Sequence, residues 1–106
     1  IVNQVYAKLM ETLGQEAPDQ GKIAHALYLS PRSMQRKLQL AGTSYHEILD
    51  QLRQELSLQY LQQSHLSISE IAFQLGFSKA GSFTRAFIRW TGQSPQKYRL
   101  EIYSHS

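Results

Sequence analysis

The chain contains no cysteine, which excludes a disulfide framework and any zinc site built on thiolates, and suits a reducing compartment. It also lacks a long apolar run: nowhere do the roughly 20 consecutive apolar residues needed to cross a bilayer occur. No basic-then-apolar leader opens it. A soluble protein without a membrane partner is expected. Proline and glycine are scarce, at 3 and 6 of 106 residues, so long helices can persist between them. Acidic residues are missing from two long stretches. Between Gln20 and His46 stand four Lys or Arg and no Asp or Glu; between Ile71 and Leu100 stand five and again none. The net charge of +3 and pI of about 9.3 are mild, but this segregation of cations points to a polyanionic partner. The apparatus of an enzyme is lacking too. His25, His46, His65 and His105 never pair at metal-binding spacing with a nearby acid, and neither a phosphate-cradling glycine loop nor a nucleophile elbow occurs. No catalysis, metal or cofactor is expected.

What is present is helical punctuation, densest from Ser67 to Trp90. Ser67 and Glu70 have capping-box spacing, so a helix should begin at Ile68 and carry Ile71, Ala72 and Leu75 inward. Gly76 breaks it. Ser78 is then in place to cap a second helix, in which Phe83, Phe87 and Trp90 form one apolar stripe at i, i+4 and i+7. The other side offers Ser82, Thr84 and Arg85. Two short helices joined by a tight turn, the second burying one face and presenting small polar groups plus arginine, have the form of a helix-turn-helix that enters the DNA major groove.

The rest of the chain reads in the same language. Val2, Val5, Tyr6, Leu9, Met10 and Leu13 give the first 13 residues a continuous amphipathic pattern. Asp19 is placed to cap a helix with Ile23, Ala24 and Leu27 inward. Ser30-Pro31 is a strong start for the next, since proline at the first helical position loses no needed hydrogen bond. This helix runs to about Leu40 and is stopped by Gly42. Met34, Leu38 and Ala41 share one of its faces, and Arg32, Gln35, Arg36 and Gln39 the other. Arginine and glutamine there have the chemistry to bond guanine and adenine edges bidentately. Ser44 and Glu47 have capping-box spacing for a long helix to about Gln63, with Tyr45, Ile48, Leu49, Leu52 and Leu56 on one side. At 1.5 Å per residue it spans roughly 30 Å, close to the roughly 34 Å between major-groove sites on one face of B-DNA. Ser94-Pro95 starts a last helix to about Tyr103, carrying Lys97 and Arg99.

The first and last thirds also repeat. Residues 23–30 (IAHALYLS) superpose on 71–78 (IAFQLGFS); Met34, Arg36 and Leu38 then align with Phe83, Arg85 and Phe87, and Gly42-Thr43-Ser44 with Gly92-Gln93-Ser94. Two copies of one supersecondary unit are expected. One position breaks the pattern: Tyr28 stands opposite Gly76. Because a positive φ is unfavourable for tyrosine, the first turn is expected to differ in geometry.

On Ile71-Ala72, Gly76-Phe77, Phe83, Arg85, Phe87, Gly92, Ser94-Pro95 and Tyr98-Arg99, with Ser30, Arg32, Met34, Arg36 and Leu38 as counterparts, the chain resembles the DNA-binding domain of the AraC/XylS family of bacterial transcription regulators. The resemblance covers residues 19 to 99. It implies an all-α fold of seven helices: a first lobe over 1–43, a linker helix over 44–63 and a second lobe over 64–106. It implies sequence-specific binding of double-stranded promoter or operator DNA by recognition helices over about 31–41 and 79–91. The family's base-contacting places fall on Arg32, Gln35 and Arg36, and on Gly81, Ser82 and Arg85. Phosphates are expected to meet Ser30, Lys37, Gln39, Ser78, Lys79, Thr84, Arg89, Lys97 and Arg99. Ala80 and Gly81 offer no side-chain hydrogen bonds, so the second helix is expected to hold backbone and shape more than it reads bases. Such a regulator, an activator by this reading, acts in the cytoplasm at the nucleoid with RNA polymerase as a further partner. The opening at Ile1 fits a piece of a longer protein whose companion domain senses an effector or dimerises, the piece itself being monomeric. The rival expectation is a helical protein-protein interaction module, with Tyr6, Tyr60 and Tyr103 lining a groove.

Overall fold

A computed structural model describes residues 1–104; His105 lies outside them. Seven helices and no strand occur among the described residues: α1 (Val2–Thr12), α2 (Gln20–Ala26), α3 (Pro31–Leu40), α4 (Tyr45–Gln63), α5 (Ile68–Gln74), α6 (Ala80–Thr91) and α7 (Pro95–Ser104). The expected all-α fold holds. The chain divides into two compact units at Arg53/Gln54, inside α4. The long helix thus runs from one unit into the other, its first half packing in the first and its second half in the second.

Local chemistry sets most of the helix starts. Asp19 accepts from the Lys22 amide at 3.1 Å, Ser30 from Ser33 at 3.1 Å, Ser44 from Glu47 at 3.2 Å and Ser94 from Lys97 at 3.1 Å. Each such cap contributes about 1 kcal/mol. At α5 the box is complete: the Glu70 amide donates to Ser67 Oγ at 3.1 Å and the Ser67 amide to the Glu70 carboxylate at 3.2 Å. At α4 the Glu47 carboxylate instead accepts from the Thr43 hydroxyl at 2.9 Å. The start of α6 departs from expectation. Lys79 is its N-cap and makes no side-chain capping bond, so Ser78 lies one residue too early to close the helix.

The two turns are the same turn. Leu29 and Phe77 donate five residues back, to Ala24 O at 2.9 Å and Ala72 O at 3.0 Å; Tyr28 and Gly76 donate three back, to His25 O and Phe73 O, both at 3.0 Å. This pair of bonds is the Schellman motif, which needs a left-handed residue just past the helix. Gly76 supplies it at φ 81° and Tyr28 at φ 60°. The expectation of a different first turn is thus corrected. Tyrosine adopts the glycine conformation, at a cost of about 1–2 kcal/mol, because the two backbone bonds and the docking of α2 on α3 over-determine it.

The first unit buries Val5 and Leu9 of α1, Ile23 and Ala24 of α2, Met34 and Leu38 of α3, and Tyr45, Ile48, Leu49 and Leu52 of α4. The second is centred on Leu61, Ile71, Ala72, Leu75, Phe83 and Phe87, with Leu56, Phe77, Trp90 and Tyr98 packed around them. Each fully buried large side chain contributes about 1.5–3 kcal/mol. Phe83 and Phe87 meet edge-on at 5.9 Å, and Tyr98 caps Phe87 in the same manner at 5.6 Å. Several large apolar side chains stay outside, Phe73 and Leu100 among them. Met10, expected inside, is half exposed, and Leu40 is 90% exposed at the end of α3.

Candidate nucleic-acid interface

In the first unit, α3 turns Met34 and Leu38 fully inward, which obliges the residues on the other side to face out. Arg32, Gln35, Arg36 and Gln39 are all exposed, and they lie within one stripe because three and four residues are about one turn. Ser30 is exposed beside them, its hydroxyl within 3.0 Å of the Ser33 hydroxyl. Lys37 sits on the flank instead, lining a hollow with Ile1, Gln4, Leu27, Leu29 and Leu40. Lys22, another cation of the acid-free stretch, reaches Glu16 at 3.5 Å.

In the second unit Phe83, Ala86 and Phe87 point inward, and Gly81 and Arg85 are exposed with Ser82 and Thr84 half-buried beside them. The Arg85 guanidinium lies 3.5 Å from Ser82 Oγ, a contact at the outer limit of a hydrogen bond. It also lies over Gly81: a Cβ built there would stand 3.5 Å from Arg85 Nη1. The three residues thus form one small patch, a cation above a bare stretch of backbone. Ser78, Lys79 and Arg89 are exposed at its two ends, and Lys97 is exposed on the first turn of α7.

Arg99 needs correction. Its guanidinium donates to Leu66 O at 2.6 Å, Tyr60 O at 3.2 Å and Leu61 O at 3.3 Å. Tyr60 and Leu61 belong to the last turn of α4, which carries the negative end of the dipole; the Tyr60 carbonyl also accepts from the Ser64 amide at 3.1 Å and the Ser64 hydroxyl at 2.6 Å. Arg99 therefore closes α4 onto α7, with its donors turned into the protein. Sequence reading had no local signal for this, since the acceptors lie 33 to 39 residues away. Ile88 was missed in the other direction. It is 44% exposed and falls three residues after Arg85 and seven after Gly81, on the same stripe, where an apolar group suits a thymine methyl. Of the tyrosines expected to line a protein-binding groove, Tyr60 packs on the second core, Tyr6 is half-buried, and Tyr103 borders a shallow hollow with Ile68, Gln96, Arg99 and Leu100.

A helix, a left-handed turn and a second helix with an apolar inner and a cationic outer face, formed twice in one chain, define a tandem helix-turn-helix domain. Comparison with known proteins agrees. The family described as "Helix-turn-helix domain" matches residues 23–101. The ornithine utilization regulator of Pseudomonas aeruginosa is 45% identical over 82 residues, covering 77% of this chain and 24% of that protein. The chain spans about a quarter of the length of such curated relatives. Among solved structures, the DNA-binding domain of AdpA, determined in complex with a target DNA, is 28% identical with a TM-score of 0.85, covering 98% of this chain and 94% of that one. An AraC-type regulator from Chromobacterium violaceum shares the fold, with a TM-score of 0.81 at 22% identity over 95% of this chain and 90% of its own. The chain belongs to the AraC family of helix-turn-helix transcription regulators.

Proposed function

We propose that this chain is the DNA-reading domain of a transcription regulator, with α3 and α6 as recognition helices laid in successive major grooves of double-stranded DNA. The observation that carries the reading is the duplicated face. In both copies two fully buried residues, Met34 with Leu38 and Phe83 with Phe87, force an exposed arginine, Arg36 or Arg85, to the same place. Base edges fall to Arg32, Gln35 and Arg36 in the first helix and to Gly81, Ser82 and Arg85 in the second. Phosphates fall to Ser30, Lys37, Gln39, Ser78, Lys79, Thr84, Arg89 and Lys97. Arg99 is left out because three carbonyls already hold it.

Since one chain supplies both helices, it binds as a monomer to an asymmetric site, unlike a simple repressor that obtains its second helix by dimerising. The parent protein acts at promoter or operator DNA, where RNA polymerase is a further partner. Selection of bound duplexes from a random library tests this. The expected result is an asymmetric consensus in two parts about 10 base pairs apart, with affinity falling steeply as salt rises. Flat enrichment would reject the reading in favour of a helical protein-protein interaction module, and a palindrome holding two copies of the chain would reject the monomer.

A further inference from the structure

Ile88 stands on the wrong side of α6 for an isoleucine. At about 100° per residue it lies roughly 150° around the helix from the mean direction of the buried Phe83, Ala86 and Phe87, so it points outward with Gly81 and Arg85. The second core closes without it. It is 44% exposed and, among the described residues, the one large apolar side chain exposed on α6. Helix propensity does not favour it either, since a β-branched side chain loses χ1 freedom against the preceding turn and lysine, glutamine or alanine holds a helix better. The repeat sharpens the contrast. With Arg36 opposite Arg85, Ile88 falls opposite Gln39, an exposed amide. One place in the duplicated face thus holds a hydrogen-bonding group in the first unit and a group incapable of hydrogen bonding in the second. Gly81, seven residues before Ile88 on the same stripe, is not required by packing: a Cβ there would meet only Arg85 Nη1, at an ordinary 3.5 Å. The stripe is bare backbone, one cation and one branched aliphatic group.

We infer that Ile88 reads the 5-methyl group of a thymine in the major groove and is the residue through which α6 tells thymine from cytosine. The inference rests on the DNA-reading proposal and gives its second helix a base-discriminating contact. Thymine alone among the four bases carries an apolar group on its major-groove edge. Reading it needs no donor or acceptor, which suits a stripe where Gly81 has no side chain and the Ser82 hydroxyl is half-buried beside the Arg85 guanidinium. Size and charge select this occupant over a protein surface. A single isoleucine is far smaller than the roughly 800 Å² a stable protein interface takes from each partner, whereas it matches one methyl. It also stands between Arg85 and Arg89 in a stretch from Ile71 to Leu100 without Asp or Glu, a setting that draws a polyanion. From Arg85 to Ile88 the helix rises about 4.5 Å, against about 3.4 Å per base pair. The thymine therefore stands one or two base pairs from the pair that Arg85 faces.

Deoxyuridine in place of thymine removes the methyl and keeps the base pairing, so it is the probe. Binding to a library-selected duplex is measured by fluorescence anisotropy at fixed salt, with each thymine in turn replaced by deoxyuridine. The wild-type chain should lose about three- to tenfold at one thymine or at two neighbouring ones, the order expected for burying a methyl against an apolar side chain. Ile88→Ala should bind the thymine duplex more weakly by a similar factor, lose nothing further at that position, and bind scrambled duplex as the wild type does. Ile88→Val, which keeps a branched aliphatic group, should retain most of the discrimination. Ile88→Lys should abolish it while still binding both duplexes, because a cation is drawn to phosphates whatever the base. All three variants should melt with the wild type, since the side chain lies outside the core. Equal wild-type affinity for thymine and deoxyuridine at every position, or a methyl effect that Ile88→Ala leaves in full, would overturn the inference while leaving DNA binding intact. A wild-type chain that bound no duplex would overturn both readings together.

Discussion

Arg99 shows how far a residue's identity fails to disclose its task. An arginine in an acid-free stretch reads as a phosphate ligand, yet Arg99 holds three carbonyls of its own unit. Arg99→Ala should therefore lower stability by about 2–4 kcal/mol, since bonds to a charged group contribute about 1.5–3 kcal/mol each and these are part-buried, although the Tyr60 carbonyl keeps its bonds from Ser64. Arg99→Lys should recover little, because an ammonium cannot present the planar fork that reaches three acceptors. Thermal melts decide it: a normal melt with reduced DNA affinity would restore Arg99 to the DNA surface. Tyr45 makes a prediction in pH. Burial raises its folded-state pKa above the unfolded value of 10.0, so the fold binds its proton more tightly than the unfolded chain does. The associated stability is fully present below about pH 10 and is lost as pH rises through the folded-state pKa. Tyr45→Phe should flatten this loss, and the wild-type minus variant difference from pH 8 to 11 isolates it from the other tyrosines.

At the scale of elements, what was legible in the sequence was whatever is decided within one turn of helix. Asp19, Ser30-Pro31 and Ser67 with Glu70 announced helix starts because a cap bonds amides two or three residues away. The apolar stripes of α3 and α6 announced the inner faces, and with them the exposed stripes of the candidate site, because burying one side of a helix exposes the other. The start of α6 and the left-handed Tyr28 were not legible. Both depend on how the turn is held between two packed helices, which no window of a few residues contains. The same limit hid the division of α4. Tyr45, Ile48, Leu49, Leu52 and Leu56 look like one stripe, but the first four are buried in the first unit and Leu56 packs on the second core. Leu52 has no exposed surface, so Leu52→Asp should place an unpaired charge in the first core and destabilise it by more than about 4 kcal/mol, at the severe end of single substitutions. Circular dichroism melts would expose the error if the variant kept the wild-type transition.

For the whole molecule, the proposed reading gives both units a share of one DNA site, and their faces are chemically unequal. On α3 the exposed stripe carries Arg32, Gln35 and Arg36, all able to make bidentate contacts with base edges. On α6 the stripe offers Gly81, Ser82 at the edge, Arg85 and Ile88, and the arginine lies over its own backbone and serine rather than among other readers. A bare glycine permits close approach to the backbone but carries no code. Arg36→Ala should accordingly cost about 1–3 kcal/mol on the selected site and much less on scrambled DNA. Arg85→Ala should weaken selected and scrambled duplexes more nearly alike, because what it removes is mainly charge at the groove. Affinities of both variants on both duplexes at one salt concentration give two specificity ratios, and salt must be held fixed because the phosphate contribution changes with it. If Arg85→Ala collapses the ratio while Arg36→Ala leaves it intact, sequence is read by the second unit, and the patch of Gly81, Ser82 and Arg85 is a base-reading site that uses shape and one cation where α3 uses three polar arms.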